Sequence, residues 1–216
     1  MRIGTWNLDG QWRPQHGELL LGADCDAWLL TEGNESVELP GYHRHLGEAQ
    51  MAQRRRWAGV CSRSPLHPLP DPHLPSAAAV TDGTTYCSTV LPWAGSGGEP
   101  NWPGGDPASR LHAGRMRHAL NVLLSQLPRA DLVWGGDWNQ SLSGQEGAGS
   151  LGGRRHLLAA IDELGLTVPT AALPHRLNEL LSIDHVALAA GRAVLGVDHL
   201  SAVGLSDHDC YVVSVV

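Results

Sequence analysis

The sequence lacks several residue types that would point to particular classes of protein. Phenylalanine and lysine are absent, so all fifteen basic residues are arginine, and eight tryptophans supply most of the aromatic area. This composition is typical of a genomic base bias and is not a signal of function. No apolar run approaches the roughly 18 residues that span a bilayer, and the N-terminus has no apolar core of a cleavable signal peptide. We therefore expect a cytoplasmic protein without a membrane span.

Positive charge is also scarce, because the formal net charge is -7. This balance argues against a broad basic surface that coats nucleic acid, since such binding depends on Lys and Arg releasing counterions from phosphate. It leaves room for an enzyme that binds phosphate through a metal, because the metal-binding carboxylates themselves add negative charge. The run Arg54-Arg55-Arg56 is interpreted as a solvated loop or strand edge in preference to a phosphate contact.

Cysteine is rare, and its positions show no metal-binding pattern. Cys25, Cys61, Cys87 and Cys210 form no CxxC pair and mostly lie in apolar segments. Such cysteines are usually buried free thiols, which implies a reduced compartment.

The most informative stretch that is present is a polar motif directly after an apolar run. Residues 131–134 read Asp-Leu-Val-Trp, and Gly135-Gly136-Asp137-Trp138-Asn139 follows at once. Because strand side chains alternate faces, an acid and an amide two positions apart reach one rim of a sheet. The alternative is a strand followed by an Asp/Asn turn, since both residues favour turns.

Short strands dominate the remaining pattern, with two substantial helices between them. One amphipathic helix is predicted over residues 108–127, and a second from about Leu151 to Gly165. The length fits a single domain over residues 1–216, built as a sandwich of sheets flanked by helices. The strands are predicted at residues 2–8, 27–30, 42–46, 57–62, 77–81, 84–91, 131–134, 182–188, 193–197 and 209–215.

Two connections are long. A proline-rich segment covers residues 65–75, and a loop rich in Gly, Pro and Trp covers residues 92–107. A loop of the second length is usually functional or mobile. Its Trp93 and Trp102 either stack on a substrate ring or pack the loop down.

Acids, amides and an imidazole recur at the ends of separate apolar strands. Their oxygen atoms suit Mg²⁺ or Mn²⁺, whereas a zinc site needs several His or Cys residues at short spacing. His43 and His45, two apart on one strand face, leave zinc as the less favoured alternative. The strand-end residues are Asn7, Glu32, Asp137, Asn139, Asp184 and the pair Asp207-His208.

Short motifs around these residues follow one another along the whole chain. They are Thr5-Trp6-Asn7, Leu30-Thr31-Glu32, Gly59-Val-Cys-Ser62-Arg63, Gly136-Asp137-Trp138-Asn139, Ile183-Asp184-His185-Val186 and Ser206-Asp207-His208. In this order the motifs resemble the endonuclease/exonuclease/phosphatase superfamily, which includes deoxyribonuclease I and exonuclease III. The resemblance implies a four-layered α/β sandwich of two packed, mostly antiparallel sheets flanked by helices. It also implies hydrolysis of a phosphate ester at one end of the sheets.

The resemblance further implies a divalent metal site. Glu32 would be the main ligand of Mg²⁺ or Mn²⁺, with Asn7 and Asp207 nearby. The metal would neutralise the phosphate and help the leaving oxygen depart.

The same resemblance assigns the catalytic roles. His208 would be the general base or stabilise the phosphoryl oxygens, and Asp184 would hold its imidazole in the required tautomer. Asp137 would orient or deprotonate the attacking water, while Asn139 would donate to a phosphate oxygen. Which of His208 and Asp137 takes the proton stays open.

The chain departs from the superfamily pattern before the long helix. Many members carry a histidine in a stretch like Thr-His-Leu, where this chain reads Thr89-Val90-Leu91-Pro92. Three explanations stay open. His112 or His118 replaces this histidine from the helix, the metal alone stabilises the leaving group, or the leaving group departs easily without help. We predict substrate contacts from His112, Arg115 and His118. Asp198-His199 repeats the Asp-His pair and is interpreted as a loop or strand-edge pair.

Three functions are compatible with these features. The first is a Mg²⁺-dependent phosphodiesterase or nuclease acting on DNA or RNA. The second is a phosphatase or phosphodiesterase of a small or lipid phosphate ester, which the net acidity favours. The third is a non-enzymatic binding protein on the same fold, which the missing strand histidine favours and the intact polar set opposes. No obligate protein partner is indicated.

Overall fold

The computed structural model describes residues 1–97, 102–103, 110–177 and 179–216. The helices in these ranges are α1 (Pro14–Gly22), α2 (His112–Gln126) and α3 (Leu151–Glu163), with a short 3-10 helix at Pro169–Ala172. None of these helices is long and apolar enough to cross a membrane. The strands are β1 (Arg2–Asn7), β2 (Ala27–Asn34), β3 (His43–Leu46), β4 (Gln50–Ala52), β5 (Arg55–Ser62), β6 (His67–Leu69), β7 (Ser76–Thr81), β8 (Thr84–Thr89), β9 (Leu132–Asp137), β10 (Leu166–Thr167), β11 (Asp184–Ala189), β12 (Val194–Leu200) and β13 (Cys210–Val215).

The strands form two sheets. A 7-stranded sheet has the order β12-β13-β1-β2-β5-β3, with β4 also paired to β5, and a 6-stranded sheet has the order β10-β11-β9-β8-β7-β6. β1 is parallel to β2 and β8 is parallel to β9, whereas the other named pairs are antiparallel. The predicted α/β sandwich of mostly antiparallel sheets is confirmed.

A central core lies between the two sheets. Ile3, Leu29 and Val213 from the seven-stranded sheet join Val133 and Val186 from the six-stranded sheet in one buried cluster. Because strand side chains alternate, the opposite face of each sheet also carries apolar residues that need a cover.

Helices provide that cover on both outer faces. Met116 and Leu120 of α2 and Leu157 of α3 pack with Trp134 of β9. On the seven-stranded sheet, Leu20 of α1 lies in the outer cluster. The layers are therefore helices, sheet, sheet and helix.

The long helix follows its predicted apolar stripe. Met116, Leu120 and Leu123 are almost fully buried, and the helix ends before Pro128, which restricts the residue ahead of it to extended backbone. The helix begins at His112, and the predicted start over residues 108–109 lies outside the described residues.

Three short strands were not expected from the sequence. β6 lies within the proline-rich connection, and its Pro68 is tolerated because β6 is an edge strand of its sheet. β4 and β10 have three and two residues and are too short for a clear periodic pattern.

The loop over residues 92–107 is described in part, since residues 98–101 and 104–107 lie outside the described residues. Trp102 is fully buried, with its ring 5.6 Å from that of Trp57 and 6.0 Å from that of Trp93 in edge-on contacts. These tryptophans pack the loop against the domain, which was one of the two predicted roles.

The four cysteines are free and buried, as predicted. Burial raises the pKa of the Cys61 and Cys87 thiols to about 12. The thiols therefore stay protonated and unreactive at neutral pH.

Candidate active site

Parallel pairing of β1 with β2 brings the first two polar strand ends together. Asn7 lies opposite Thr31, one residue before Glu32. The Glu32 backbone has a φ of 50°, and its carbonyl accepts the amide of Gly10 at 2.8 Å. A non-glycine residue in this left-handed region is strained by roughly 1–2 kcal/mol, and such strain is concentrated at functional positions.

The Asn7 side chain joins carboxylates from the two sheets. Its Nδ2 donates to Glu32 Oε1 at 3.1 Å and to Asp137 Oδ2 at 3.0 Å. Its Oδ1 accepts the backbone amide of Asp9 at 2.9 Å. As placed, Asn7 acts as a hydrogen-bond donor that holds the two carboxylates side by side.

The second pair of acids comes from neighbouring strands of the six-stranded sheet. Asp184 begins β11 directly opposite Asp137 at the end of β9. Gly135 and Gly136 allow this approach, because a Cβ at either position would stand 2.3 Å from a backbone oxygen, that of His185 or Thr89 respectively.

The closing motif is tied to β1 by its backbone. Ser206 Oγ donates to the Asn7 carbonyl at 2.7 Å and accepts the His208 amide at 3.1 Å. Trp6 Nε1 donates to the His208 carbonyl at 3.1 Å. These bonds fix the loop that carries His208 over the ends of both sheets.

The imidazole of His208 is oriented by a buried carboxylate. His208 Nδ1 lies 2.7 Å from Asp184 Oδ2, and Nε2 lies 3.9 Å from Asp137 Oδ2 and from Asp207 Oδ1. Because Nδ1–H donates to Asp184, Nε2 is the nitrogen that faces Asp137 and the open side of the cluster.

The pKa values of the three central groups of the cluster are all raised. Burial raises the pKa of Asp137 and of Asp184, and the His208 cation opposes both rises. Burial lowers the pKa of His208, but the carboxylates of Asp184 and Asp137 outweigh burial and place it well above 6.5. Metal-free, the cluster thus favours a charged imidazole over a fully ionised pair of acids.

A divalent cation fits the oxygen donors on the Glu32 side of the cluster. Burial raises the pKa of Glu32 and the charge of Asp137 raises it further, so the two carboxylates repel each other. Asp184 Oδ1 is buried without a hydrogen-bond partner among the described residues. A second group of possible ligand atoms, within 4.8 Å of one another, comes from Asp137, Asp184 and His208. In that group His208 and Asp184 are already hydrogen-bonded to each other. Hard oxygen ligands of this kind suit Mg²⁺ or Mn²⁺.

Asn139 and Asp207 border the cluster. Asn139 has a φ of 51°, and its backbone amide donates to Asp137 Oδ1 at 2.9 Å. Its Nδ2 donates to the Leu91 carbonyl at 3.0 Å, so the predicted phosphate donor already has a partner in this structure. The side chain of Asp207 is 74% exposed and is free to meet a cation or solvent.

A pocket of about 400 Å³ opens beside Asn139 and His208. Leu177, Leu180, Leu181 and Ile183 give it an apolar wall, and Asp207 and His175 give it a polar side. A concave apolar wall with a few polar groups next to titratable residues is the usual form of a substrate site.

Two residues of the site were not predicted from the sequence. The first is His175, whose ring centre lies 6.3 Å from that of His208. The second is Arg55, interpreted as part of a solvated basic run, which forms an ion pair with Glu32 at 3.2 Å. Neither has a local motif, because both enter from strands or turns far away in sequence.

Two of the three predicted contact residues of α2 have hydrogen-bond partners outside this cluster. His112 uses both ring nitrogens, with Ser150 Oγ at 2.7 Å and the Pro92 carbonyl at 2.8 Å. Arg115 is buried and donates to loop carbonyls such as that of Ala94 at 3.0 Å. His118 is half-buried. The first two hold the loop after β8, and their bonds leave little capacity for a substrate.

The position of the missing strand histidine is apolar. Val90 is fully buried in a cluster with Trp57 and Trp102. The repeated pair Asp198-His199 lies in β12, where His199 Nε2 is 2.8 Å from Asp209 Oδ2. The prediction of a strand-edge pair is confirmed.

Comparison with known proteins gives structural matches only. No protein-family model matches the chain, and no curated protein matches it. An AP endonuclease from Archaeoglobus fulgidus is similar with a TM-score of 0.71 and 15% identity, over 100% of this chain and 99% of that one. A 3′-5′ exonuclease from Neisseria meningitidis has a TM-score of 0.69 and 19% identity, over 100% of this chain and 99% of that one. The endonuclease domain of TRAS1, a telomere-specific non-LTR retrotransposon, has a TM-score of 0.70 and 16% identity, over 99% of this chain and 97% of that one.

In each case the likeness extends over at least 97% of both chains. The protein therefore has the fold of the endonuclease/exonuclease/phosphatase superfamily, as its motifs predicted. At these identities the likeness shows the fold, and the activity has to be argued from the site.

Proposed function

We propose that this protein is a divalent-metal-dependent phosphodiesterase that cleaves nucleic acid. The observation that carries the proposal is the 2.7 Å bond between Asp184 and His208, with Nε2 turned towards Asp137. This geometry supports a reaction in which an oriented imidazole and a buried carboxylate act on the same phosphate. The carboxylate oxygens of Glu32, which would bind the metal, lie beside them. The similar structures include an AP endonuclease and a 3′-5′ exonuclease, which favours nucleic acid as the substrate.

The residues divide the hydrolysis between them. Asp137 accepts a proton from the attacking water, whose oxygen forms the new bond to phosphorus. His208 donates from Nε2 to a phosphoryl oxygen as negative charge grows there, while Asp184 keeps its ring oriented. The ester oxygen leaves as an alcohol after taking a proton from solvent. A bound Mg²⁺ or Mn²⁺ at Glu32 would neutralise the phosphate and stabilise the leaving oxygen.

The pocket beside His208 receives the group attached to the phosphate. Its apolar wall suits a sugar edge or a base, and on its polar side the ring of His175 lies 6.3 Å from that of His208. This separation of the two rings would allow His175 to contact a phosphate bound at Nε2 of His208. We therefore assign to His175 a contact with the substrate phosphate.

The test is product release from single- and double-stranded DNA, RNA, an abasic duplex and bis-p-nitrophenyl phosphate, each with Mg²⁺, Mn²⁺ or EDTA. We expect metal-dependent cleavage that falls by about 10²- to 10⁴-fold in His208→Ala, because both oriented proton transfer and charge stabilisation are lost. Glu32→Gln should raise the metal concentration needed for half-maximal rate.

The exposed His67 of β6 supplies a matched control, since β6 is the edge strand of its sheet and is separated from β9 by β7 and β8. Cleavage that persists in EDTA, or in His208→Ala at the wild-type rate, would contradict the proposal. Turnover of the small diester alone would instead support the second candidate, a small-ester phosphodiesterase, which the net charge of -7 favours.

A further inference from the structure

Arg55 spans two carboxylates at the edge of the active site, and the proposed reaction does not use it. Its Nη1 lies 3.2 Å from Glu32 Oε2, and its Nη2 lies 3.1 Å from Asp9 Oδ1. The guanidinium thus bridges β2 and the turn after β1. A planar fork with one N–H group on each of two carboxylates is far more specific in geometry than a single surface ion pair.

The turn after β1 is shaped to receive this guanidinium. Gly10 has a φ of +67°, and a Cβ there would stand 1.9 Å from Arg55 Nε. Asp9 is also left-handed, with a φ of 48°, and Asn34 Nδ2 donates to the Gly10 carbonyl at 3.2 Å. The Arg55 side chain is only 26% exposed. The Arg55 side chain therefore packs in a specific position over the turn.

Glu32 faces two different positions for positive charge. Its Oε1 accepts the Asn7 amide inside the cluster, and its Oε2 meets Arg55 outside it. Burial and Asp137 raise the pKa of Glu32, whereas Asn7 and Arg55 lower it. A permanent cation on Oε2 reduces the negative potential that a divalent metal meets at Oε1.

We propose that Arg55 is an internal counter-cation that competes with the divalent metal for Glu32 and so weakens metal binding. The inference rests on the proposed function, because it requires Glu32 to bind metal. Without metal, Arg55 keeps two carboxylates paired that would otherwise repel each other. With metal, it makes the cation easier to release.

The experiment is calorimetric titration of Mn²⁺ into wild type, Arg55→Gln, Arg55→Lys and Arg56→Gln. Arg56 is the matched control, because it lies next to Arg55 in β5 but pairs with Glu35 at 2.7 Å. Both glutamine variants lose one positive charge, so the change in net charge is the same in the two. We expect Mn²⁺ to bind about three- to tenfold more tightly to Arg55→Gln and less than about twofold differently to Arg56→Gln. Arg55→Lys keeps the charge and should stay near wild type.

A second readout separates competition from a merely structural role. Metal-free Arg55→Gln should melt below wild type, and saturating Mn²⁺ should raise its melting temperature more than it raises that of wild type. Equal Mn²⁺ affinities in the two glutamine variants, or weaker binding to Arg55→Gln, would overturn the inference. Glu32→Gln separates the two proposals: if it binds Mn²⁺ as wild type does, the proposed metal site fails, and if it loses Mn²⁺ while Arg55→Gln is unchanged, only the role of Arg55 fails.

Discussion

The tautomer of His175 is set by its own turn. The Leu177 amide donates to His175 Nδ1 at 2.9 Å, which leaves the ring proton on Nε2. Burial lowers the pKa of His175, and the nearby His208 cation lowers it further, so the ring is neutral at pH 7. A neutral ring with a fixed Nε2–H is a hydrogen-bond donor in the pocket and not a proton acceptor.

Replacing His175 tests this donor role. A glutamine can place its amide nitrogen near the position of Nε2, whereas leucine fills similar volume without a donor. We expect His175→Leu to lower kcat/KM by about 10- to 100-fold and His175→Gln to stay within about threefold of wild type. Steady-state kinetics on the preferred substrate would check this, and equal losses in the two variants would point to packing alone.

At the scale of single elements, β9 depends on its two glycines. Gly136 has a φ of +120°, and a Cβ there would lie 2.3 Å from the carbonyl oxygen and 2.8 Å from the amide nitrogen of Thr89. Both atoms belong to the backbone of β8, so the neighbour cannot turn away. The pairing of β8 with β9 sets the position of Asp137, the last residue of β9, relative to the other residues of the cluster. A change at Gly136 would therefore also move Asp137.

Gly136→Ala should therefore cost about 3 kcal/mol or more of unfolding free energy, from steric overlap plus left-handed strain. Gly83 is a matched control, because it has a φ of +74° but an added Cβ would meet no atom of the described residues within 4 Å. Gly83→Ala should cost only about 1 kcal/mol. Urea unfolding of both variants measures the difference, and similar losses would show that packing against β8 is unimportant.

Local patterns predicted the strand ends, whereas only the resemblance to the superfamily predicted that Asp184 meets His208. The apolar run before Asp137 and the motif around Asp184 were visible, because a buried strand needs a continuous apolar stretch. The register that sets these acids face to face depends on sheet order, which no local pattern encodes. The same holds for Arg55, which looked like a solvated charge because its partners Asp9 and Glu32 precede it by many residues.

Short edge elements were hidden for a different reason. β6 contains Pro68, which local propensity assigns to a loop, and only its place at the sheet edge makes it a strand. The segment that carries His175 is held by bonds to distant parts of the chain, such as that from Tyr211 Oη to the Pro174 carbonyl at 2.9 Å. Contacts of this kind join residues far apart in sequence, so no local pattern predicts them.

At the scale of the whole molecule, buried histidines make the fold sensitive to acid. Burial lowers the pKa of His73 and of His185 to about 4. His185 bonds Thr170 Oγ1 at 3.3 Å and the Gln140 carbonyl at 3.0 Å, while His73 lies against Trp102 without a hydrogen-bond partner among the described residues. Charging either ring inside the core is unfavourable, because the buried cation loses its hydration.

The sign of the pH effect follows from proton binding. A histidine whose folded pKa lies below its unfolded value of 6.5 binds fewer protons when folded, so its stabilising effect is present above pH 6.5 and is lost as the pH falls towards 4. The raised pKa values of Asp137, Asp184 and His208 act in the other direction, since stability is lost as the pH rises through them. The metal-free protein should thus lose stability on both sides of a maximum, and Mg²⁺ should oppose the alkaline loss.

His185→Gln isolates one acid-sensitive group. Glutamine cannot titrate, so the slope of unfolding free energy against pH between 4.5 and 6 should fall by about 1.4 kcal/mol per pH unit, the value for one proton. His67→Gln replaces an exposed histidine of β6 with the same residue and is the control for the substitution itself. Urea unfolding at several pH values measures both slopes. If His185→Gln keeps the wild-type slope, the acid sensitivity arises elsewhere, and His73 becomes the residue to replace.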